Sequence, residues 1–317
     1  MKLSSTVARL LVAGSLAVAL PFAAAQQSFP DKTVHVVVPF PPGGGADGLT
    51  RIIQTPLGRL WGQSIVIENR PGAAGVLGAE RVARAAPDGH TILMTATGGI
   101  VKKNAAQFQP VVLVSAAPYV VVVNPKVPAS NIRELIALAK SQPGKLTFGS
   151  SGAGAASHLA GELFKSSAGV DLLHVPYKGT GQAITDLLGG QIDVMFAPAQ
   201  AAMANVRVGK LKALAVTSLE RSVAMPNLPT VSESGLSGFN AVGWFGIFAP
   251  AGTAPQVVRK MAADIDKVLA DPEVKQQILA QGTDVAGGTP EKFASFLKED
   301  SAKWERLIET QGLDVPN

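Results

Sequence analysis

Three stretches of the chain each join the end of a strand-like run to glycines and hydroxyl side chains, and then to a helical period: residues 40–47, 148–157 and 177–181. A helix amino end carries unpaired N–H groups and a partial positive charge. Glycine lets a ligand approach that backbone, and serine or threonine adds a hydroxyl donor. Such loops bind carboxylate or phosphate without a formal positive charge. One loop of this kind is most simply a tight strand-to-helix turn, whereas three in one chain point to an anion site. Enzymes that handle phosphate fit less well. Residues 43–48 lack the Gly-Lys-Ser/Thr ending of a P-loop and the glycine spacing of a dinucleotide fingerprint. No cofactor is expected.

Residues 149–153 come near a nucleophile elbow centred on Ser151, but Ala153 stands where the second glycine belongs. A serine hydrolase also needs a histidine and an acid, and nothing in the spacing pairs His158 or His174 with a serine. His35, His90, His158 and His174 show no metal-ligand spacing, so no metal site is expected. His158 falls beside Ser157 in the first turn of a helix, where it can brace the loop. Lys178 is either a counter-charge for an anion or a solvated surface lysine. Asp193, at a strand start, can bond loop amides or a ligand amine. Trp244 and Phe245 can line a cleft, but core packing is the default for aromatics in an apolar strand.

These residues need elements to hold them. Residues 33–38, 64–68 and 91–95 read as strands, with helices from Asp47 and over 77–86 between them. Pro56 is expected to kink or divide the first helix. A second series follows: strands at 119–124, 146–148, 172–175, 192–196 and 211–217, and helices at 132–140, 157–166 and 180–188. The apolar runs 119–124 and 211–217 are the expected crossovers. After another apolar run at 243–250, one helix starts near Pro255 and another has Thr289 as N-cap and Pro290 at its first position. This alternation is an α/β pattern of two units, with a cleft between them for a small ligand.

Composition narrows the class. The chain has 317 residues, 47% hydrophobic and 16% charged, with no cysteine. Disulfides, thiolate metal sites and a cysteine nucleophile are excluded. The 28 Lys and Arg against 23 Asp and Glu are scattered, and aromatics make up 5%, so a nucleic-acid partner is not expected. Lys2 and Arg9, the apolar run 10–20 and the small residues Ala23, Ala24 and Ala25 have the layout of a secretory signal peptide. That run is shorter than the ~20 residues needed to span a bilayer. An exported, periplasmic chain cleaved near Ala25 is expected.

Several motifs, in order, resemble the Bug family, the TctC-like receptors of tripartite tricarboxylate transporters. They are residues 38–47 (VPFPPGGGAD), 68–75 (ENRPGAAG), 87–91 (PDGHT), 149–152 (GSSG) with 157–159 (SHL), 174–179 (HVPYKG) and 186–193 (DLLGGQID). The resemblance covers nearly all of the chain after residue 25. It implies a two-lobed periplasmic-binding-protein type II fold. Each lobe would be a mixed, mostly parallel sheet flanked by helices, with the ligand cleft between lobes. Residues 26–122 and 219–317 would form the first lobe and 123–218 the second. The implied activity is capture of a small carboxylate-bearing solute (an organic, amino or aromatic acid) for integral-membrane permease subunits. A partnership with a sensor kinase is the alternative, and a hydrolase the remote one.

By motif, the resemblance assigns ligand contacts to Phe40, Gly44, Ala46, Asp47, Thr95 and Thr97 in the first lobe. In the second it assigns Ser150, Ser151, Gly152, Ser157, Lys178, Gly179 and Thr180, with Asp193 and Phe196 further out. The second-lobe loops would grip a carboxylate through amides and hydroxyls, and the first-lobe loop would reach it partly through water. Three features depart from the family pattern. The 98–109 segment is short, Pro56 interrupts a helix, and Gln182 replaces a common proline.

Overall fold

The computed structural model describes residues 29–72, 75–96 and 105–313. The expected leader, Thr97 and most of the short 98–109 segment lie outside the described residues. The chain runs β1 (Val34–Val38), α1 (Gly45–Trp61), β2 (Ile65–Asn69), α2 (Val76–Ala83), β3 (Thr91–Ala96) and β4 (Phe108–Val123). It continues α3 (Ile132–Ser141), β5 (Thr147–Ser150), α4 (Ala156–Ala168), β6 (Leu173–Pro176), α5 (Thr180–Gly189), β7 (Val194–Pro198), α6 (Ala199–Arg207) and β8 (Lys212–Val216). It ends β9 (Val242–Pro250), α7 (Pro255–Leu269), α8 (Pro272–Ala280), β10 (Asp284–Val285) and α9 (Pro290–Gln311).

The fold is the expected α/β architecture of two units. In the first, β2, β1 and β3 are parallel, and β9 runs antiparallel between β3 and β4. In the second, β6, β5 and β7 are parallel, and β4 runs antiparallel to β7 and β8. Both faces of these sheets are covered, which is why the strands read as unbroken apolar runs. The two-residue period sorts the side chains. Val36 and Val38 join Leu49, Ile53 and Ile265 in one core layer, while Val37 joins Leu93, Phe248 and Phe293 in the opposite one. In the second unit Val121 and Val123 pack with Phe148, Phe164 and Phe196, and Val120 and Val122 with Ile184 and Met195.

Besides adding α6, α8 and β10, the structure differs from the sequence expectations at Pro56, Asp47, β4 and β8. Pro56 does not divide α1, a single helix of 17 residues. Proline removes one backbone donor, but buried Leu49, Ile53, Leu57 and Trp61 anchor both sides of it. Asp47 is the third residue of α1; the N-cap is Gly44. β4 has 16 residues, extending far before the expected start at 119, and passes from one sheet into the other. β8 stays within the second sheet. The return crossing starts at its end, where Thr217 bonds Tyr119 and Ala241.

Thr289 caps α9 and Pro290 opens it, as expected. This helix spans both units: Phe293 lies in a core layer of the first, and Trp304 and Leu307 in a core layer of the second. Between them Asp300 accepts Trp244 Nε1 at 3.1 Å and Trp304 Nε1 at 2.9 Å, and pairs with Lys303 at 2.8 Å.

Candidate functional site

Strand register places the expected loops at one level. Tyr119, where β4 enters the second sheet, pairs with Pro198 at the carboxyl end of β7. Its neighbour Pro118 pairs with Val242, at the start of the β9 strand that lies against the end of β3. The carboxyl ends of β1, β2 and β3 therefore approach this level from one side, and those of β5, β6 and β7 from the other. The loops that follow β1, β5 and β6 lead into α1, α4 and α5.

The three helices begin alike. Their N-caps are Gly44, Ala155 and Gly179, and none supplies a capping side chain. Instead the third helical residue accepts the N–H of the residue before the cap. Asp47 takes Gly43 N–H at 2.9 Å, His158 Nδ1 takes Gly154 N–H at 3.1 Å, and Gln182 takes Lys178 N–H at 3.2 Å. Among the described residues, no protein acceptor meets the first three N–H groups of these helices. Each loop is tied down while its donors stay open, the condition for anion binding at a helix end. Gln182, the departure from the family's proline, supplies one of the ties.

In the first loop Asp47 is buried. It also accepts Arg51 Nε at 2.9 Å and Asn69 Nδ2 at 3.0 Å. Asn69 Nδ2 lies 3.2 Å from the Phe40 carbonyl as well. The Arg51 guanidinium, with Gly43 and Asn69, holds the Asp47 carboxyl below its usual range against the effect of burial. Asp47 is thus a brace with its oxygens turned into the loop. Gly45 must be small, because a Cβ there would stand 2.7 Å from the Phe245 ring. Ala46 turns its methyl into the core and offers only backbone. Thr95, at the end of β3, has a fully buried hydroxyl with no hydrogen-bond partner among the described residues.

In the second loop Ser151 N–H bonds Ser157 Oγ at 3.0 Å, and the two hydroxyls lie 3.1 Å apart. Gly152 has φ +140, and a Cβ there would crowd the Tyr177 carbonyl at 3.3 Å. Sequence spacing pairs no serine with a histidine, but the structure joins Ser150 Oγ to His174 Nε2 at 2.7 Å. This is not an activated nucleophile. Ser150 is buried, donates to the Gly152 carbonyl and accepts Gly152 N–H. Its single proton is used, so His174 Nε2 must donate to it rather than take its proton. His174 stacks on His158 with centroids 3.9 Å apart, and on Phe148 at 4.8 Å. Burial, then His158, pushes His174 down to about 4. Glu162 lies 3.7 Å from His158 Nε2 and 3.1 Å from Lys165.

At the third loop Tyr177 OH donates to Asp186 at 2.8 Å, and burial followed by that bond pushes the phenol up to about 12. Thr180, half-buried, has no hydrogen-bond partner among the described residues, and Lys178 is exposed. Two expected residues are not brought here. Asp193 bonds Thr147 N–H and Oγ1 at 2.8 and 2.9 Å, at the opposite end of β5 from the loop. Phe196 is fully buried between Phe148 and Phe164, because its strand period turns it to the core. Asn69, Arg51, His174 and Tyr177 do structural work at the site that spacing does not reveal. Asn69, His174 and Tyr177 stand inside the recognised motifs, and Arg51 is four residues after Asp47. A separate cavity of about 560 Å³ lies between α6, residues 224–228 and 279–282, and none of the expected residues lines it.

Comparison with known proteins adds the lineage. The family model described as the tripartite tricarboxylate transporter family receptor matches residues 49–313. A UPF0065 protein from the tcbD-tcbE intergenic region of Pseudomonas sp. (strain P51) is 40% identical over 291 residues, 89% of this chain and 87% of that one. Protein BugT of Bordetella pertussis is 33% identical over 296 residues, 90% and 91% of the two chains. The structure of R. palustris Rpa4515 with adipate matches with a TM-score of 0.77 at 30% identity, covering 91% of this chain and 100% of that one. No helix among the described residues is long and apolar enough to cross a membrane. With open helix ends at a shared level and this likeness over most of its length, the chain belongs to the TctC-like, or Bug, receptors of the tripartite tricarboxylate transporter family.

Proposed function

We propose that the chain captures a small carboxylate-bearing solute between its two lobes in the periplasm and passes it to the permease subunits of a tripartite transporter. Its leader would be removed near Ala25. The first lobe is residues 26–122 and 219–317 and the second 123–218, with α9 lying across both. The observation that carries this reading is the strand register that brings the starts of α1, α4 and α5 to one level, with no protein acceptor among the described residues for their first N–H groups. A carboxylate supplies what those donors lack, and charge-assisted bonds to backbone N–H are among the stronger hydrogen bonds.

The N–H groups at the α4 and α5 ends, with Ser151 and Thr180, form the main grip. Gly44 to Asp47 offer backbone donors from the other lobe, and Thr95 offers its unpartnered hydroxyl. Adipate bound to the related Rpa4515 supports a dicarboxylate as the first class to test. Closure of the lobes is favoured by contacts that only the closed form makes to both. A thermal-shift panel of dicarboxylates, tricarboxylates, acidic amino acids and aromatic acids tests the proposal. A rise in melting temperature with one class is expected, and no response at millimolar concentration from any of them rejects it.

A further inference from the structure

The three loop ties at the site are chemically unequal. Asp47 holds its loop as an anion shared with Arg51, and Gln182 holds its loop as a neutral amide. His158 holds its loop through Nδ1, which accepts Gly154 N–H at 3.1 Å. An imidazole accepts at Nδ1 only when it is neutral, with its proton on Nε2; the imidazolium has N–H on both nitrogens. Protonation would set two donors against each other and release Gly154.

The surroundings fix which way this goes. The charged and titratable groups around His158 are Glu162 and Lys165 on its own helix and His174 on β6; β5 contributes the Phe148 ring. α9 meets α4 at its far end, through Gln311 and Ser166. Glu162 lies on the Nε2 side and stabilises a cation at His158. His174, stacked against it and donating to Ser150, stays neutral as the solution acidifies because burial resists its charging. Of the two stacked rings, His158 is the one that carries the Gly154 tie and faces a carboxylate.

The geometry points to His158 as a positioning residue that makes the second-lobe grip depend on pH: neutral, it holds the loop 151–155 in register for an anion; protonated, it lets the loop go. The ligand side of this inference rests on the function proposed above, while the tie between His158 and Gly154 does not.

Two measurements on the purified full chain test it. In an amide NMR titration from about pH 8 to about pH 5, the Gly154 signal should move with the same midpoint as the His158 ring. Calorimetry with adipate should show affinity falling about fivefold to tenfold between about pH 7.5 and 5.5, the worth of one net hydrogen bond. In His158→Gln, whose amide oxygen can accept Gly154 N–H without titrating, that pH-dependent component should vanish; adipate's own protonation acts on both proteins alike and cancels in the comparison. A Gly154 signal indifferent to His158 overturns the inference. So does a parallel fall in both proteins, or tighter binding in acid, which would mean that the added charge outweighs the lost tie. If adipate fails to bind at neutral pH, the ligand proposal is at fault, and the NMR titration still decides the switch. If His158→Gln fails to fold, the wild-type titration decides alone.

Discussion

The helices that begin at the site start differently from three that begin elsewhere. α3, α8 and α9 have Asn131, Asp271 and Thr289 as N-caps, and each of these side chains accepts N–H groups of its own first turn. α1, α4 and α5 begin on Gly44, Ala155 and Gly179, which cap nothing. α2, α6 and α7 also lack a capping side chain, but their third residues, Gly78, Ala201 and Val257, do not tie the residue before the cap as those at the site do. A capping side chain is worth about 1 kcal/mol over alanine but only a few tenths over glycine, so the sacrifice of stability falls mainly at Ala155. The difference teaches that the first turns at the site are held from behind, by the third residue, and left vacant in front.

The largest effect expected from disturbing this contrast is at Asp47. Asp47→Ala leaves Gly43 N–H, Asn69 and Arg51 without their acceptor and should cost roughly 2–3 kcal/mol in denaturant unfolding, since Arg51 is half solvated and keeps water. A loss no larger than that of an ordinary surface substitution would show that the first loop does not depend on its charged brace.

Acid comes next. Burial lowers His174 from 6.5 to about 4. Across that window the unfolded chain takes up a proton that the folded chain refuses, so stability should fall as pH falls, by about 1–2 kcal/mol after allowance for solvent. Asp47 acts at lower pH. Its depressed carboxyl contributes stability above its unfolded value, and that contribution is lost as pH falls through the folded one. Unfolding followed from neutral pH down to about 4 should therefore show the histidine loss before the carboxylate loss begins. Stability flat across the histidine range breaks the contrast between a charged first loop and a neutral second one.

Two small changes sharpen it further. Thr289→Ala should cost about 1 kcal/mol of stability and leave anion affinity untouched, because α9 is capped away from the site. Gly179→Ser is the opposite case. Gly179 has an extended backbone, and a Cβ there meets nothing within 4 Å. Serine can then cap α5, with a stability change of only a few tenths of a kcal/mol, while its oxygen competes with the ligand for the same N–H groups. Weaker adipate binding by calorimetry is expected; unchanged binding would mean that α5 does not hold the anion.

Much of the architecture is legible in the sequence because strands buried on both faces and amphipathic helices leave strong periodic traces. The Thr289–Pro290 start of α9 follows from local cap chemistry alone. Residues 108–118 do not announce a strand, because Pro110, Ser115 and Pro118 interrupt the apolar run. Both prolines lie within the stretch paired to β9, which has two register shifts. α6 and α8 escape notice for a related reason: short helices carry too few turns for a period to stand out. At the site, motif order locates the loops but not the direction of each side chain. Asp193 and Phe196 stand in or beside a recognised motif, yet pairing to Thr147 and the two-residue strand period carry them away from it. Conversely, the Ser150–His174 contact spans 24 positions and depends on β5 and β6 lying side by side, which spacing alone does not encode.

Asp300 gives the molecule an optical gauge. Two of its three tryptophans share that one carboxylate, Trp244 from β9 and Trp304 from α9, while Trp61 bonds Asp264 elsewhere. One of the paired indoles is embedded in a core layer of the first unit and the other in a core layer of the second. Any rotation of one unit against the other must stretch or shear this pair. Indole emission responds to a nearby carboxylate, so the closure proposed above should register in the unlabelled chain as a change in intrinsic fluorescence, and substituting Trp61 would remove the background without touching the gauge.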